Sequence, residues 1–132
     1  MDILVSQQQG RVPVTVFHVK GDIDMASFER LQTEARESVE AGTRDLVIDL
    51  TEVPYMSSAG LRALHYLFEL LRGDSPSESD EAMRKGLADG TFKSPHLKLL
   101  KPSRRVLEVL KMAGFDMFLE IHSSLKNAVA SF

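Results

Sequence analysis

Two adjacent hydroxyl side chains, Ser57 and Ser58, lie where the pattern of the chain changes from a buried strand to a helix. Residues 46–50 (LVIDL) are nearly all apolar, and apolar side chains recur at helical spacing after the serines. The first N–H groups of a helix have no partner within the helix, and they favour an anion such as a phosphate. The two serines are therefore candidates for a phosphate-bearing switch, and equally for ordinary helix caps.

The same turn can also be tested as a catalytic site. In MSSAG, Ser58 occupies the nucleophile position of the G-x-S-x-G elbow of α/β hydrolases, but Met56 replaces the first glycine. A catalytic histidine is expected late in the chain, where His122 is the only candidate after His96. The four histidines are too dispersed to indicate a metal site. We expect no catalytic residue, no metal and no cofactor, and a serine hydrolase remains only a remote alternative.

Charged side chains surround the expected position of this turn. Asp22 and Asp24 follow one strand pattern, and Asp49 and Glu52 end the next. Because the carboxyl ends of parallel strands gather at one edge of a sheet, these carboxylates should lie near the serines, as a solvated rim more readily than as a divalent-ion site. The one basic cluster runs along a later helix, whose exposed face it should form. Its members are Lys101, Arg104, Arg105 and Lys111.

The first half of the chain predicts a hairpin followed by a helix. Residues 3–6 and 12–19 have strand patterns joined by a glycine turn, so they should pair antiparallel. Apolar residues recur at helical spacing over 28–39, with Ser27 as the expected cap and Gly42 as the stop. This helix should return the chain to the sheet.

The middle of the chain predicts a parallel crossover. Residues 46–50 form a short central strand that should lie parallel to the second strand, connected by a right-handed crossover. The helix after the serines is expected to be amphipathic, with one apolar face turned inwards. That face carries Leu61, Leu64, Phe68 and Leu71.

The last third should complete the sheet. Residues 96–100 predict a strand, Pro102 a helix start and Gly114 its stop. Residues 118–121 predict a short final strand. A last helix should follow, capped by one of two neighbouring residues, Ser123 or Ser124.

Residues 73–95 interrupt the alternation of strands and helices. The segment is rich in Gly, Ser, Pro and acidic residues and has almost no apolar periodicity, which predicts a mobile loop. Residues 80–87 could form a short helical turn within it. Since the loop joins the end of a helix to the next strand, it should emerge at the sheet edge opposite Ser58.

Composition limits the class of protein. The 132 residues are 43% hydrophobic and 27% charged, which suits one α/β domain with a mixed four- to five-stranded sheet and about four helices. A net charge of −3 provides no basic field for nucleic acid or an anionic membrane. Cysteine is absent, and no apolar run approaches the about 18 residues of a membrane span. We expect a cytoplasmic protein.

Three motifs together resemble the STAS domain family in its small stand-alone form, the anti-sigma factor antagonists. They are GDID at 21–24, VIDLTEVPYMSSAGLRAL at 47–64 and LKLLKPSRRVLEVLKMAGFDMFLEI at 97–121. The resemblance implies a single STAS domain over residues 1–132, with 73–95 as an insertion that the family normally lacks. It identifies Ser58 as the phosphorylatable position and shows Ser57 where the family usually has an aspartate. The site loop continues with Ala59, Gly60 and Leu61.

The resemblance also implies a function. An anti-sigma factor antagonist binds a serine-kinase anti-sigma factor of the GHKL-type ATPase fold while its serine is unphosphorylated, and this binding releases a sigma factor. The kinase switches the complex off by phosphorylation, and a PP2C-type phosphatase resets it. The alternative is a STAS scaffold or sensor module in another signalling assembly. Candidate partner contacts are Asp22, Asp24, Met25, Met56 and Arg62.

Overall fold

The computed structural model of the protein describes residues 1–72 and 93–132. Within these residues one five-stranded sheet is accompanied by four α-helices. The strands are β1 (Asp2–Gln9), β2 (Pro13–Lys20), β3 (Leu46–Glu52), β4 (Leu97–Leu100) and β5 (Glu120–His122). The helices are α1 (Phe28–Glu40), α2 (Ser58–Arg72), α3 (Arg104–Met112) and α4 (Leu125–Ala130), and a 3₁₀ turn spans Phe115–Met117. The predicted α/β class is confirmed.

The strands lie in the order β1-β2-β3-β4-β5. β1 and β2 pair antiparallel, as predicted for the hairpin, and every later pair is parallel. Because β2, β3 and β4 run in the same direction, the loops that follow them emerge side by side. We call these three loops, residues 21–24, 53–57 and 101–103, the carboxyl edge. The serine turn lies in the middle of this edge.

Both faces of the sheet are covered, which explains the nearly continuous apolar runs of the central strands. Helices α1, α2 and α3 bury one face in the main core, which includes Phe17, Leu31, Ile48, Leu67, Leu99 and Leu110. The other face is covered by α4 over a smaller cluster formed by Val14, Val16, Val47, Leu100, Ala128 and Val129. Neighbouring strand residues such as Val47 and Ile48 therefore belong to different cores.

Helix α2 buries the predicted residues Leu64, Phe68 and Leu71, together with Ala63 and Leu67. Leu61, predicted on the inner face, is only half-buried at the rim of the core. It lines a shallow surface cleft with Tyr66 and Phe115. The inner face of the helix is thus rotated slightly from the predicted position.

Several predicted boundaries are shifted by one to three residues, and two of the shifts have a clear local cause. α3 begins at Arg104, because the Oγ of Ser103 accepts a hydrogen bond from the Val106 N–H at 3.2 Å, so Pro102 lies just outside the helix. The final strand is Glu120–His122 and not 118–121, because a 3₁₀ turn extends to Met117 and delays it. Both errors are of the size expected where local signals compete at the end of an element.

The serine caps were only partly predicted. Ser27 precedes α1, but its Oγ donates to the Asp22 carbonyl at 2.7 Å and accepts from the Asp24 N–H at 3.0 Å, so it does not cap the helix. Of the two candidates at the last helix, Ser124 is the cap, since its Oγ accepts from the Asn127 N–H at 3.3 Å. The stop at Gly42 is confirmed by a φ of 116°.

The predicted mobile loop and its helical turn fall mainly on residues 73–92, which lie outside the described residues. The last part of the prediction, residues 93–95, is described, and its middle residue is packed into the domain. Ser94 is buried, its N–H donates to the Phe118 carbonyl at 2.7 Å, and its Oγ accepts from the Leu97 N–H at 3.3 Å. No helix in the part of the chain that the structure describes is long and apolar enough to cross a membrane.

Candidate functional site

The structure separates the two serines of the turn. Ser57 is half-buried and immediately precedes α2, where its Oγ accepts a hydrogen bond from the Ala59 N–H at 3.2 Å. Ser58 is the first residue of the helix and is exposed. Its hydroxyl makes no hydrogen bond to any of the described residues. Capping is therefore the task of Ser57, and Ser58 is free for another role.

The serine turn is held in place through its backbone by the neighbouring loop. The Ile23 N–H donates to the Tyr55 carbonyl, the Ser57 N–H donates to the Ile23 carbonyl, and both distances are 3.0 Å. Ile23 and Met56 form an isolated parallel bridge, and both side chains are fully buried. Met56 was predicted as a partner contact, but at 1% exposure it is a core residue, and we withdraw it from the candidate surface.

Gly60 explains how closely the two loops approach. A Cβ at this position would lie 2.6 Å from the Ile23 carbonyl oxygen and 2.6 Å from Met56 Cγ, far inside van der Waals contact. Only a residue without a side chain allows the first turn of α2 to pack against the residue 23 loop. Ala59 is also buried, so these two members of the site loop act by packing.

Three of the remaining predicted contacts lie on the surface around Ser58. Asp22 and Arg62 are exposed, and the side chain of Met25 is 68% exposed. Asp24 is half-buried, and its Oδ1 accepts a hydrogen bond from the Ala26 N–H at 3.0 Å and lies 3.2 Å from the Ser27 hydroxyl oxygen. The carboxylate of Asp24 thus shapes its own loop, while the other three side chains are available to a partner.

Sequence reasoning missed Tyr55 as a surface residue of the site and named Arg105 only as part of an exposed helix face. Tyr55, in the serine turn, is 36% exposed, and the guanidinium of Arg105 lies 5.0 Å from the centre of its ring. On the other side, the guanidinium of Arg62 lies 5.9 Å from the ring of Phe28. The basic cluster contained Arg105, but which of its members faces the serine turn depends on how α3 packs beside α2.

A second serine belongs to a hydrogen-bonded row on the sheet. The Oγ of Ser6 lies 3.0 Å from His18 Nε2, and His18 Nδ1 lies 2.8 Å from Asp49 Oδ2. The order of groups is that of a hydrolase triad, but Ser6 is inside a strand, whose N–H groups lie in the sheet plane and do not converge on an oxyanion above the hydroxyl. We interpret the row as a structural tie between three strands.

The carboxylates of Asp49, in this row, and of Glu120, on the edge strand β5, are held in their charged form. Burial, the largest effect, raises the pKa of Asp49, but hydrogen bonds from Thr51 and His18 outweigh it and lower the pKa below the ordinary 3.8. Burial likewise raises the pKa of Glu120, and the ammonium of Lys98 and the ring of His122 reverse that shift. Asp49 is therefore engaged in the fold and is not part of a free acidic rim.

The two other candidate sites, a serine hydrolase site and a metal site, are not assembled at Ser58. His122, the candidate catalytic base, lies on β5 with its Nε2 3.0 Å from Glu120 Oε1. Over residues 1–72 and 93–132, no histidine is hydrogen-bonded to Ser58. In the same ranges, no group of three or more His, Asp or Glu side chains could hold a metal ion.

Comparisons with known proteins agree on one family. A family model described as the STAS domain matches residues 4–74. BtrV of Bordetella bronchiseptica, a candidate anti-sigma factor antagonist, is 30% identical over 114 residues, which cover 86% of this chain and 82% of BtrV. An anti-sigma factor antagonist from Mycobacterium paratuberculosis has the same fold, with a TM-score of 0.73 at 22% identity over 98% of this chain and 92% of that structure. SpoIIAA, a Bacillus cell fate determinant solved in its phosphorylated form, superimposes with a TM-score of 0.59 at 13% identity over 96% of each chain.

Proposed function

The chain belongs to the STAS domain family, and on that premise we propose that it is an anti-sigma factor antagonist controlled by phosphorylation of Ser58. In this proposal the unphosphorylated protein binds a serine-kinase anti-sigma factor and so releases a sigma factor. The kinase, a GHKL-type ATPase that brings its own ATP, modifies Ser58, and a PP2C-type phosphatase removes the phosphate. The protein is a binding module of the cytoplasm and needs no cofactor or catalytic residue of its own.

The observation that carries the proposal is the free, exposed hydroxyl of Ser58 beside exposed apolar and charged side chains. A phosphate adds about −1.5 to −2 charges, and the first turn of a helix can accommodate it without refolding the domain. The same charge buried in a packed interface, or facing a partner carboxylate, costs roughly 3 kcal/mol, which is about a hundredfold in affinity. Modification of Ser58 would therefore change binding and leave the fold intact.

Two relatives support the regulatory side of the proposal. BtrV has the name of an anti-sigma factor antagonist, and SpoIIAA, which shares the fold, is known in a phosphorylated form. The contacts available to a kinase here are Asp22, Met25 and Arg62, with Tyr55 added by the structure. Ser57 replaces the usual aspartate of the family, so the acceptor loop lacks a carboxylate next to the hydroxyl.

The experiment has to identify both the partner and the acceptor. We expect Ser58→Ala, used as bait in an extract of the native cell, to retain a GHKL-type kinase that Ser58→Asp binds about a hundredfold more weakly. The recovered kinase with ATP should then place phosphate on Ser58 of the wild-type protein, as shown by peptide mapping. Ser57→Ala is the matched control and should still be phosphorylated.

Three results would contradict the proposal. Phosphate found only on Ser57 would show that the acceptor is misassigned. Recovery of scaffold proteins without any kinase would favour the alternative of a STAS scaffold or sensor module. A fluorophosphonate probe that labels Ser58 would instead support the serine hydrolase alternative.

A further inference from the structure

The charges of the carboxyl edge are distributed unevenly around Ser58. The loop after β2 carries Asp22 and Asp24, the loop after β3 leads to Ser58, and the loop after β4 leads to the basic start of α3. Since these strands are neighbours in that order, Ser58 lies between an acidic and a basic side.

Two exposed arginines lie on helices next to the serine turn. Arg62 is exposed on α2 and rests near the ring of Phe28 on α1, whereas Arg105 is exposed on α3 and rests over Tyr55 of the serine turn. Among the described residues neither guanidinium has a carboxylate partner. Arg104 differs, because its Nε lies 3.6 Å from Glu108 Oε1 in the same helix.

The spacing of Arg62 favours pairing with an anion at position 58. Residues four apart on a helix lie on the same face, and the arrangement with the anion nearer the N-terminus is the more stable one. The planar guanidinium can donate two parallel hydrogen bonds to phosphate oxygens. Because Arg62 has no carboxylate partner among the described residues, its guanidinium N–H groups are available to a phosphate.

Arg105 can approach from the other side. Tyr55 precedes Ser58 by three residues in the same turn, and the guanidinium of Arg105 lies 5.0 Å from the centre of its ring. An exposed contact between a cation and a ring is weak, whereas a charge-assisted bond to a phosphate is about twice as strong as a neutral hydrogen bond. The guanidinium should therefore leave the ring when a phosphate is present.

We propose that Arg62 and Arg105 together form a phosphate-binding pair that holds the phosphorylated Ser58 against the protein's own surface. The inference rests on the proposed role of Ser58 as the acceptor. It adds a second element to the switch, because phosphorylation both adds negative charge and withdraws two guanidinium groups from the surface offered to the partner.

The test uses protein in which phosphoserine is incorporated at position 58 by genetic code expansion, so no kinase is needed. The second pKa of the phosphate, ordinarily about 6, is measured by ³¹P NMR titration at low salt. Arg62→Gln and Arg105→Gln should each raise this pKa by about 0.5 on the pH scale, as expected for an exposed pair. Arg104→Gln, the matched control from the same turn of α3, should leave it unchanged, and 1 M salt should remove the differences.

A second measurement reports on the arginines themselves. Their Nε–H resonances are compared in the unphosphorylated and phosphorylated wild-type proteins, and those of Arg62 and Arg105 should shift while that of Arg104 does not. Equal phosphate pKa values in all four proteins would overturn the proposal, and an effect of Arg62→Gln alone would overturn the two-sided site. A kinase that ignores Ser58 would refute the proposed function without affecting either result.

Discussion

Ser58 and Ser6 show two opposite ways of using a serine in the same fold. At Ser58 the backbone around the residue is fixed by the Ile23 bridge and the close approach of Gly60, while the hydroxyl is free and exposed. At Ser6 the hydroxyl itself is bound to His18, which is bound to Asp49. A site that must accept a modification needs a fixed backbone and a free side chain. Of these two serines, only Ser58 has both.

A substitution that disturbs the backbone contacts around Ser58 should lower the free energy of unfolding more than any other change in this comparison. Gly60→Ala places a Cβ 2.6 Å from the Ile23 carbonyl oxygen, so we expect a loss of about 3 kcal/mol in the free energy of unfolding. Gly42→Ala is the control, because its Cβ would meet nothing within 4 Å and only the φ of 116° is unfavourable. For Gly42→Ala, urea unfolding should show a loss of about 1–2 kcal/mol in the free energy of unfolding. Equal losses would show that crowding at Gly60 is relieved by movement of the loop.

The two serines of the turn should differ in stability. Ser57→Ala removes the acceptor of the Ala59 N–H, and we expect it to cost about 1 kcal/mol in the free energy of unfolding. Ser58→Ala removes an exposed hydroxyl and should change stability by less than about 0.5 kcal/mol. Thermal or urea unfolding of the two variants makes the comparison directly. A larger loss for Ser58→Ala would mean that its hydroxyl is structural.

The hydrogen-bonded row of Ser6, His18 and Asp49 should affect the pH dependence of folding stability. Because the pKa of Asp49 is lowered in the folded state, its contribution to stability is complete above the unfolded pKa and is lost as the pH falls through the folded value. The loss is therefore expected below about pH 3.8, the ordinary aspartate value. Asp49→Asn should make the decrease in stability below that pH shallower, as measured by urea midpoints.

Asp22→Asn is the control for this measurement. It removes an exposed carboxylate whose side chain accepts no hydrogen bond in the described ranges of the chain. Glu120, whose pKa is also lowered, remains in both variants and contributes equally. If the two variants lose stability with acid in parallel, the charged form of Asp49 does not contribute to the pH dependence of folding stability.

Much of the fold was predictable because it depends on local patterns. The hairpin, the parallel central strand, the helix after the serines and the stop at Gly42 all follow from apolar periodicity or from glycine at positive φ. The errors lie where several local signals compete, as at Pro102 and Ser103 or at Ser27, whose hydroxyl binds its own loop. Such choices differ by a single hydrogen bond, and sequence pattern does not resolve them.

The sequence by itself determined that two serines stand between a strand and a helix, because period and turn residues are local properties of the chain. Only the tertiary structure decided which serine caps the helix and which is free, that Met56 belongs to the core, and that Arg105 reaches Tyr55. These features depend on how α2 packs against the loop at Ile23 and on where α3 lies relative to the serine turn. Packing joins residues distant in sequence, so burial and side-chain partners at the site are decided by the assembled sheet and helices.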